Sequence, residues 1–409
     1  MGRAIAASVV SADGVTRRFP DVETAMHAAD GGCVELEYVY SPDAMPERAD
    51  PRRGLWRYRG LLPLDPGAVR YPLPVGDTPL LALPALRLAA GIPNLWLKDE
   101  TRSPTGSNKD RATALVLQHA LNLGIETVSC ASTGNVAVSL AVGAAAAGKR
   151  AVVFVPAGVA EAKLGLMLAA GAVVLRVRGG YREAFRLSEW AAAAFGWCNR
   201  NTGVNPFAAE AKKTVAFEIW EQLGRAVPDV LVVPVGDGVT LSAMAKGFRE
   251  LVACGGAPRM PRLVGVQAEG CQPVKRAWET RLPVRPARAS TIADGIAVEA
   301  PVCAAAAVRD VRQTGGGFVA VSDAEITEAV HTLATRGGVL AEPAGAAAFA
   351  GLRPALIAGL VRASDQVVVL VTGSGLKAPR YLVPARPVIE VPDDREAVRR
   401  ALGDEAVAR

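Results

Sequence analysis

From Thr78 to about Ala378, short runs of β-branched and aliphatic residues alternate with Ala-rich segments. The runs Ala151–Val155, Val173–Val177, Val230–Val235, Leu263–Gln267 and Val367–Thr372, with a shorter one at Thr127–Cys130, are apolar at nearly every position. That pattern predicts strands buried on both faces. Helical periodicity predicts helices over Arg111–Gly124, Val136–Gly148, Tyr181–Phe195, Ala211–Gly224, Ser242–Ala253, Ser322–Arg336 and Ala344–Gly359. Strands alternating with helices imply an α/β fold whose parallel sheet is covered on both faces. Residues 1–75 read differently. Val34–Tyr40 alternates as a half-buried strand does, and the Pro- and Arg-rich stretch Pro42–Gly54 reads as a linker. The tail, 381–409, is largely polar with one short helix expected. No tandem repeat is present.

Composition narrows the function classes. A chain of 409 residues is long enough for two to three compact units at about 150 residues each. Half of it is hydrophobic and 21% charged, which excludes wholesale disorder. Aromatics at 5% argue against a base-stacking platform. The net charge of +6 (46 basic against 40 acidic residues) is spread thinly without a basic block. It suits an anionic small molecule, and neither a nucleic-acid nor a membrane partner is expected. The apolar stretch Ala4–Val10 is at the lower edge of a signal-peptide core and is read as part of the working chain. The longest uncharged run, Thr127–Gly148, carries too many small and polar residues for a membrane span. Six cysteines (33, 130, 198, 254, 271 and 303) and three histidines (27, 119 and 331) are scattered. They support neither a metal site nor a disulfide framework, so a reduced, cytoplasmic chain is expected.

Ligands of such sheets bind where strands end and helices begin. Four loops at those points carry unusual chemistry. In Pro104–Arg111, Lys109 lies among small residues at a helix start, where dipole and desolvation both favour a neutral, nucleophilic amine. It reads equally as a solvated cap paired with Asp110. Ser132-Thr133-Gly134-Asn135 offers hydroxyls and backbone N–H groups to a carboxylate, or is simply an N-cap. Gly236-Asp237-Gly238-Val239-Thr240 can fold into an anion-binding nest, or is a tight strand–helix turn. It has neither the Walker pattern nor a third glycine, and Asp237 would repel a phosphate unless its side chain turns away. Thr372, in Val371–Lys377, places a hydroxyl at a strand end, where it can bond a heteroaromatic nitrogen or serve a plain turn. Together the loops supply the four things a pyridoxal 5'-phosphate enzyme needs: an amine, a carboxylate site, a phosphate site and a ring-nitrogen partner.

At this point the chain resembles the threonine synthase-like branch of the fold-type II, tryptophan synthase β-like pyridoxal-phosphate enzymes. The likeness rests on Gly76–Leu80, Pro104–Arg111, Ser132–Asn135, Asn205-Pro206 followed by Lys212-Lys213-Thr214, Pro234–Gly238, Glu342–Ala346 and Thr372–Lys377. It implies two lobes of three-layer αβα parallel sheet over 76–380, a smaller lobe at about 110–200, and a small N-terminal extension. It implies that Lys109 forms the Schiff base and moves the α-proton. Asn135 would contact the cofactor's 3'-oxygen and Gly236–Thr240 its phosphate. Thr372 would face the pyridine nitrogen, and Ser132–Asn135 would hold the carboxylate of a small amino acid. A homodimer is expected. Elimination or replacement at the β- or γ-carbon follows from the resemblance, with a serine- or threonine-dehydratase-like reaction as the alternative and an inactive scaffold as the rival. Two departures stand out: Asn108 replaces a usual Phe, and Ala208 stands where threonine synthases that use O-phosphohomoserine usually carry an arginine for the substrate phosphate. From Ala208, O-phosphohomoserine is expected to be a poor substrate.

Overall fold

The computed structural model describes residues 5–406 apart from 12–14, 22–24, 26–31, 48–49, 65–66, 160 and 383–385. Residues 1–4, the first part of the apolar N-terminus, and His27 therefore lie outside the described residues. The chain opens with β1 (Ala6–Val10), β2 (Thr16–Phe19) and β3 (Cys33–Glu37), an antiparallel sheet ordered β2-β1-β3. Next come β4 (Leu80–Leu81), α1 (Pro84–Ala90), β5 (Leu95–Asp99), α2 (Lys109–Leu123), β6 (Thr127–Ala131), α3 (Asn135–Ala146), β7 (Arg150–Pro156), α4 (Glu161–Ala169), β8 (Val173–Val177), α5 (Tyr181–Phe195) and β9 (Cys198–Asn199). The second half holds α6 (Phe207–Lys212), α7 (Thr214–Gln222), β10 (Val230–Pro234), α8 (Val239–Ala253), β11 (Arg262–Ala268), α9 (Pro273–Thr280), α10 (Ala304–Gln313), β12 (Gly317–Val321), α11 (Asp323–Gly337), α12 (Pro343–Ala350), α13 (Leu352–Ile357), β13 (Val367–Val371) and α14 (Arg395–Ala406).

Two parallel sheets result. The larger is ordered β12-β11-β10-β13-β5-β4, parallel except for the β4–β5 pair, and the smaller is β8-β7-β6-β9. Two-sided burial explains the apolar runs except Val173–Val177, expected to be buried but found as the edge strand β8 with Val173 and Leu175 exposed, because only β7 pairs with it. Leu231, Val233, Val368 and Leu370 enter the core on one side of the large sheet. Val230, Val232, Val367, Val369 and Val371 enter the core on the other. Side chains alternate faces along a strand, so both faces need apolar residues when helices cover both.

The helix boundaries shift where local chemistry intervenes. The stretch expected as one helix over Ala211–Gly224 is two, α6 and α7, meeting at Lys213. Ala344–Gly359 likewise divides at Gly351. Pro42–Gly54 is docked rather than a free linker: the Gly54 amide donates to Asp77 Oδ2 at 2.7 Å, and Arg57 bonds the carbonyl of Asp50 at 2.7 Å.

One sequence expectation is overturned. Cys33 at the start of β3 and Cys303 just before α10 form a disulfide, with Cα atoms 5.0 Å apart and a sequence separation of 270. The N-terminal sheet that would carry an isolated thiol packs against the large lobe, so folding brings two distant cysteines together. The remaining four cysteines are buried and free. The same sheet is anchored by polar groups. Tyr38 donates to Glu210 Oε2 at 2.8 Å, and its ring lies 4.2 Å from Lys213 Nζ. Glu35 accepts from Arg309 at 2.5 Å and from Arg249 at 3.2 Å.

A second buried cluster fixes the start of α2. Arg111 donates to Glu100 at 2.7 and 2.8 Å, to Glu218 at 2.6 and 2.7 Å, to Thr78 Oγ1 at 3.1 Å and to Thr214 Oγ1 at 3.0 Å. Lys98 joins it, with Nζ 2.7 Å from Glu218, 2.6 Å from the Thr78 carbonyl and 2.9 Å from Gln222. Burial alone would raise the Glu218 carboxyl, but Arg111 and Lys98 outweigh it and hold it at about 2, against an ordinary 4.5.

Two measurements check these anchors. Glu218→Ala strands two buried cations and should cost about 3–5 kcal/mol, read as a lower urea midpoint at unchanged slope. A loss below about 1 kcal/mol would show that the cluster is not a constraint. Because the folded carboxyl titrates lower than the unfolded one, this stabilisation is complete above 4.5 and fades as pH falls towards about 2. Thiol titration of the denatured, unreduced chain should find four free cysteines out of six, and six after reduction. Six before reduction would remove the bridge.

Candidate active site

Lys109 is the first residue of α2, and its loop is tied to the loop after β13. The Asn108 amide donates to the Thr372 carbonyl at 2.9 Å. The Ser374 amide donates to the Gly106 carbonyl at 2.8 Å, and Ser107 and Gly373 form a β-bridge. Lys377 reaches back to the carbonyls of Thr105 and Gly106 at 2.7 and 3.0 Å. The alternative in which Asp110 pairs with Lys109 does not hold. Asp110 accepts instead from the Thr105 amide at 2.7 Å and the Thr105 hydroxyl at 2.6 Å. Burial lowers the Lys109 pKa; Asp237 and Glu342 oppose the shift and Arg200 adds to it.

The second loop approaches from α3. Asn135 is its first residue, and Nδ2 donates to Glu342 Oε1 at 2.6 Å. Its Oδ1 and Glu342 Oε2 are buried without partners. Gly134 caps α3, with Ser132 Oγ accepting from its amide at 3.1 Å; Ser132, Thr133 and Gly134 are half-buried. Gly373 is confined against this pair: a Cβ there would lie 2.2 Å from Glu342 Oε1.

The third loop joins β10 to α8. Asp237 turns its carboxylate onto the Val239 amide at 3.0 Å, and its carbonyl accepts from the Cys303 amide at 3.0 Å. Gly238 caps α8 at φ +91, and a Cβ would sit 2.6 Å from the Cys303 carbonyl oxygen. A side chain is excluded there on two counts, so the backbone stays bare at a helix start. Gly236, Val239 and Thr240 are buried with it. The fourth loop brings Thr372, half-buried one residue past β13.

Pyridoxal phosphate fits these residues on observations of the chain itself: a desolvated amine at Lys109, an unpartnered Asn135 carbonyl oxygen, and a glycine cradle at the α8 N-terminus that a Cβ would fill. The four loops would hold it at Lys109, Asn135, Gly236–Thr240 and Thr372.

Three residues near the site were given no role from the sequence, although Glu342 and Lys212 stood within its motifs. Glu342 caps α12 and meets Asn135; a carboxylate directly before a proline at an Ala-rich helix start was the available signal. Lys163 pairs with Asp294 at 2.6 Å, and its Nζ lies 3.7 Å from where a Cβ on Gly134 would stand. Lys212 is buried beside Lys109 and Asp237. Three other cations are candidates to stand in for the missing arginine: Lys98 is held by Glu218, and Arg182 is exposed on α5. Arg200 is buried and bonds Thr113 and Thr202 at 3.0 and 3.1 Å and the Lys109 carbonyl at 3.3 Å.

Comparison with known proteins identifies the family. Residues 71–373 match the family described as pyridoxal-phosphate dependent enzyme. Threonine synthase of Methanocaldococcus jannaschii is 36% identical over 393 residues, covering 93% of this chain and 96% of that protein. Threonine synthase of Mycobacterium tuberculosis is 38% identical over 348 residues, covering 85% and 94%. Among solved structures, the threonine deaminase of T.th. has a TM-score of 0.61 at 25% identity, covering 76% of this chain and 94% of its own. The fungal L-serine ammonia-lyase from Rhizomucor miehei has a TM-score of 0.64 at 22% identity, covering 74% and 96%, and speaks for the fold alone. The chain belongs to the pyridoxal-phosphate-dependent enzyme family, and within it is a threonine synthase-like lyase.

Proposed function

We propose that this site acts on a small amino acid carrying a leaving group on its β- or γ-carbon, as the names of the relatives suggest. The observation that carries this is the direct bonding of the Lys109 loop to the Thr372 loop, with Asn135–Glu342 closing the same space. When bound, pyridoxal phosphate supplies an electron sink for charge left at the substrate's α-carbon. Lys109 holds the cofactor and then moves the α-proton, for which its burial-lowered pKa suits it. Asn135 and the Gly236–Thr240 loop orient ring and phosphate; Asp237 keeps its charge turned onto Val239. Thr372 gives the ring nitrogen a neutral hydroxyl. A neutral partner leaves the ring less electron-withdrawing than a carboxylate would, which favours elimination and replacement over deeper rearrangement. Ser132, Thr133, Gly134 and Asn135 receive the α-carboxylate, with Lys163 adding positive charge close to Gly134.

The same reading has the chain working in the cytoplasm as a homodimer, the common closed assembly of soluble enzymes. Among the described residues no helix is long and apolar enough to cross a membrane.

Purified holoenzyme mixed with O-phosphohomoserine, O-phosphoserine, serine and threonine, with phosphate, ammonia and 2-keto acid assayed, tests the reaction class. Release of none of them from any substrate would refute it. Lys109→Ala should lower turnover by at least about a thousandfold and leave the fold intact. Borohydride reduction of the wild type should fix the cofactor on Lys109 in peptide mapping; label on another lysine would overturn its role. Gly238→Val should weaken cofactor binding by about tenfold or more, because φ +91 and the Cys303 carbonyl both exclude a side chain. A variant with normal cofactor affinity and reduced thermal stability would make the loop a structural turn only.

A further inference from the structure

Lys212 has no role in the reaction as described, yet it lies in the same space. It ends α6, one turn after Ala208. Residues four apart share a helix face, and side chains lean towards the helix N-terminus. The Lys212 stem therefore extends back over the turn that holds Ala208. Lys212 is 1% exposed, and its Nζ has no hydrogen-bond partner. Among the described residues it is the one buried cation left without a partner. Its neighbour Lys213 shows the contrast, with Glu210 at 2.5 Å and Glu250 at 2.8 Å.

The surroundings make this isolation unfavourable. Helix α6 packs between α2, which begins with Lys109, and α8, which begins at the Gly238 cap. Besides burial, the charges acting on Lys212 are Lys109, which repels it, then Asp237, which attracts it, then Arg200, which repels it; together they bring its pKa down to about 7. An ammonium buried beside two other cations is destabilised unless an anion joins it. Asn108, next to Lys109, is also buried with both amide atoms unpartnered. On the proposed reading the Gly236–Thr240 nest serves the cofactor's phosphate. Lys212 is within electrostatic reach of Lys109 as well as of Asp237 in that nest.

We propose that Lys212 is the cation that receives a phosphate ester on the substrate's side chain, replacing from the next turn of α6 the arginine that Ala208 lacks. The inference rests on the reading of Lys109 as the cofactor-bearing residue. It reverses the expectation, drawn from Ala208 alone, that O-phosphohomoserine is a poor substrate. The same phosphoryl chemistry is present in the cofactor, and the test separates the two sources.

The probe is inorganic phosphate, titrated calorimetrically into holoenzyme. Lys212→Gln should weaken its binding about tenfold or more, as loss of a charge-assisted bond does, with cofactor content and cofactor affinity within about twofold of wild type. Lys212→Arg should restore phosphate binding. Equal phosphate affinity in wild type and Lys212→Gln overturns the proposal, as does absence of phosphate binding by the wild type. A fall in cofactor affinity alongside phosphate affinity overturns it too, by assigning Lys212 to the cofactor's phosphate. Should Lys212→Gln fail to fold, sulfate decides, since it does not itself titrate: its binding to wild type should weaken from pH 6 to pH 8.5, and Lys212→Arg should be flat over that range. The same slope in both would refute the role of Lys212. Binding is read without turnover. Phosphate bound through Lys212 with no product from any substrate refutes the reaction and not this inference; product formation with phosphate affinity indifferent to Lys212 does the converse.

Discussion

Everything at the site depends on where α2 begins, and that is fixed by one fully buried guanidinium. Arg111 directs its donors to Glu100, Glu218, Thr78 and Thr214, which come from three separate stretches of chain, Thr214 and Glu218 sharing α7. A rigid, planar fork tolerates little displacement of its partners, and a buried charge tolerates none of them being absent. Lys109 lies two residues earlier, so its backbone inherits this placement. The bridge from Ser107 to Gly373 then carries the same constraint to the loop after β13. The large sheet, the start of α2 and the far end of the chain are thus held in one register by polar contacts, each of which would be strongly destabilising to break alone.

The site built on that frame is weighted towards positive charge. Lys109, Arg200 and Lys212 act on one another in the interior, and Asp237 is the carboxylate that acts on all three. Glu342 does not offset them fully, because burial raises its pKa, against Lys377 and Lys163. Such a distribution is unstable in an empty protein and natural in one that binds anions. Cofactor phosphate and substrate carboxylate are two. The net charge of +6 over the whole chain carries little of this information; the local clustering does.

The strands and the four loops were legible in the sequence for a simple reason. Strands covered on both sides are apolar at nearly every position, and small polar residues directly after them mark strand ends, where ligands of such sheets bind. What stayed hidden required the third dimension. Cys33 and Cys303 are 270 residues apart, and no spacing rule pairs them; only the packing of the N-terminal sheet on the large lobe does. Within the Ala4–Val10 stretch, weighed as a weak signal core, Ala6–Val10 is the central strand of that sheet. Asp237, a problem for a phosphate loop on paper, turns its charge onto the Val239 amide. Glu342 was visible as part of a motif, but its partnership with Asn135 spans 207 residues.

Lys212 is the sharpest case. A charged residue at the end of a short Ala-rich helix reads as a solvated face, because nothing in the helix itself shows that α2 and α8 enclose it. Its position also explains how an anion site can survive loss of an arginine without any change of fold. Helical geometry stacks positions 208 and 212 on one face, and the lean of the side chain compensates for the extra turn. The exchange is not neutral, however. An arginine would grip a phosphate with a fixed fork and stay charged at all working pH values. A lysine offers a single rotatable ammonium, and one held at a pKa of about 7 is charged for only part of the population. The incoming anion must then stabilise the proton as well as use it, so anion and proton bind together by linkage. A site built this way holds its anion more loosely in orientation and releases it more readily once the proton leaves, which suits a group that departs during the reaction.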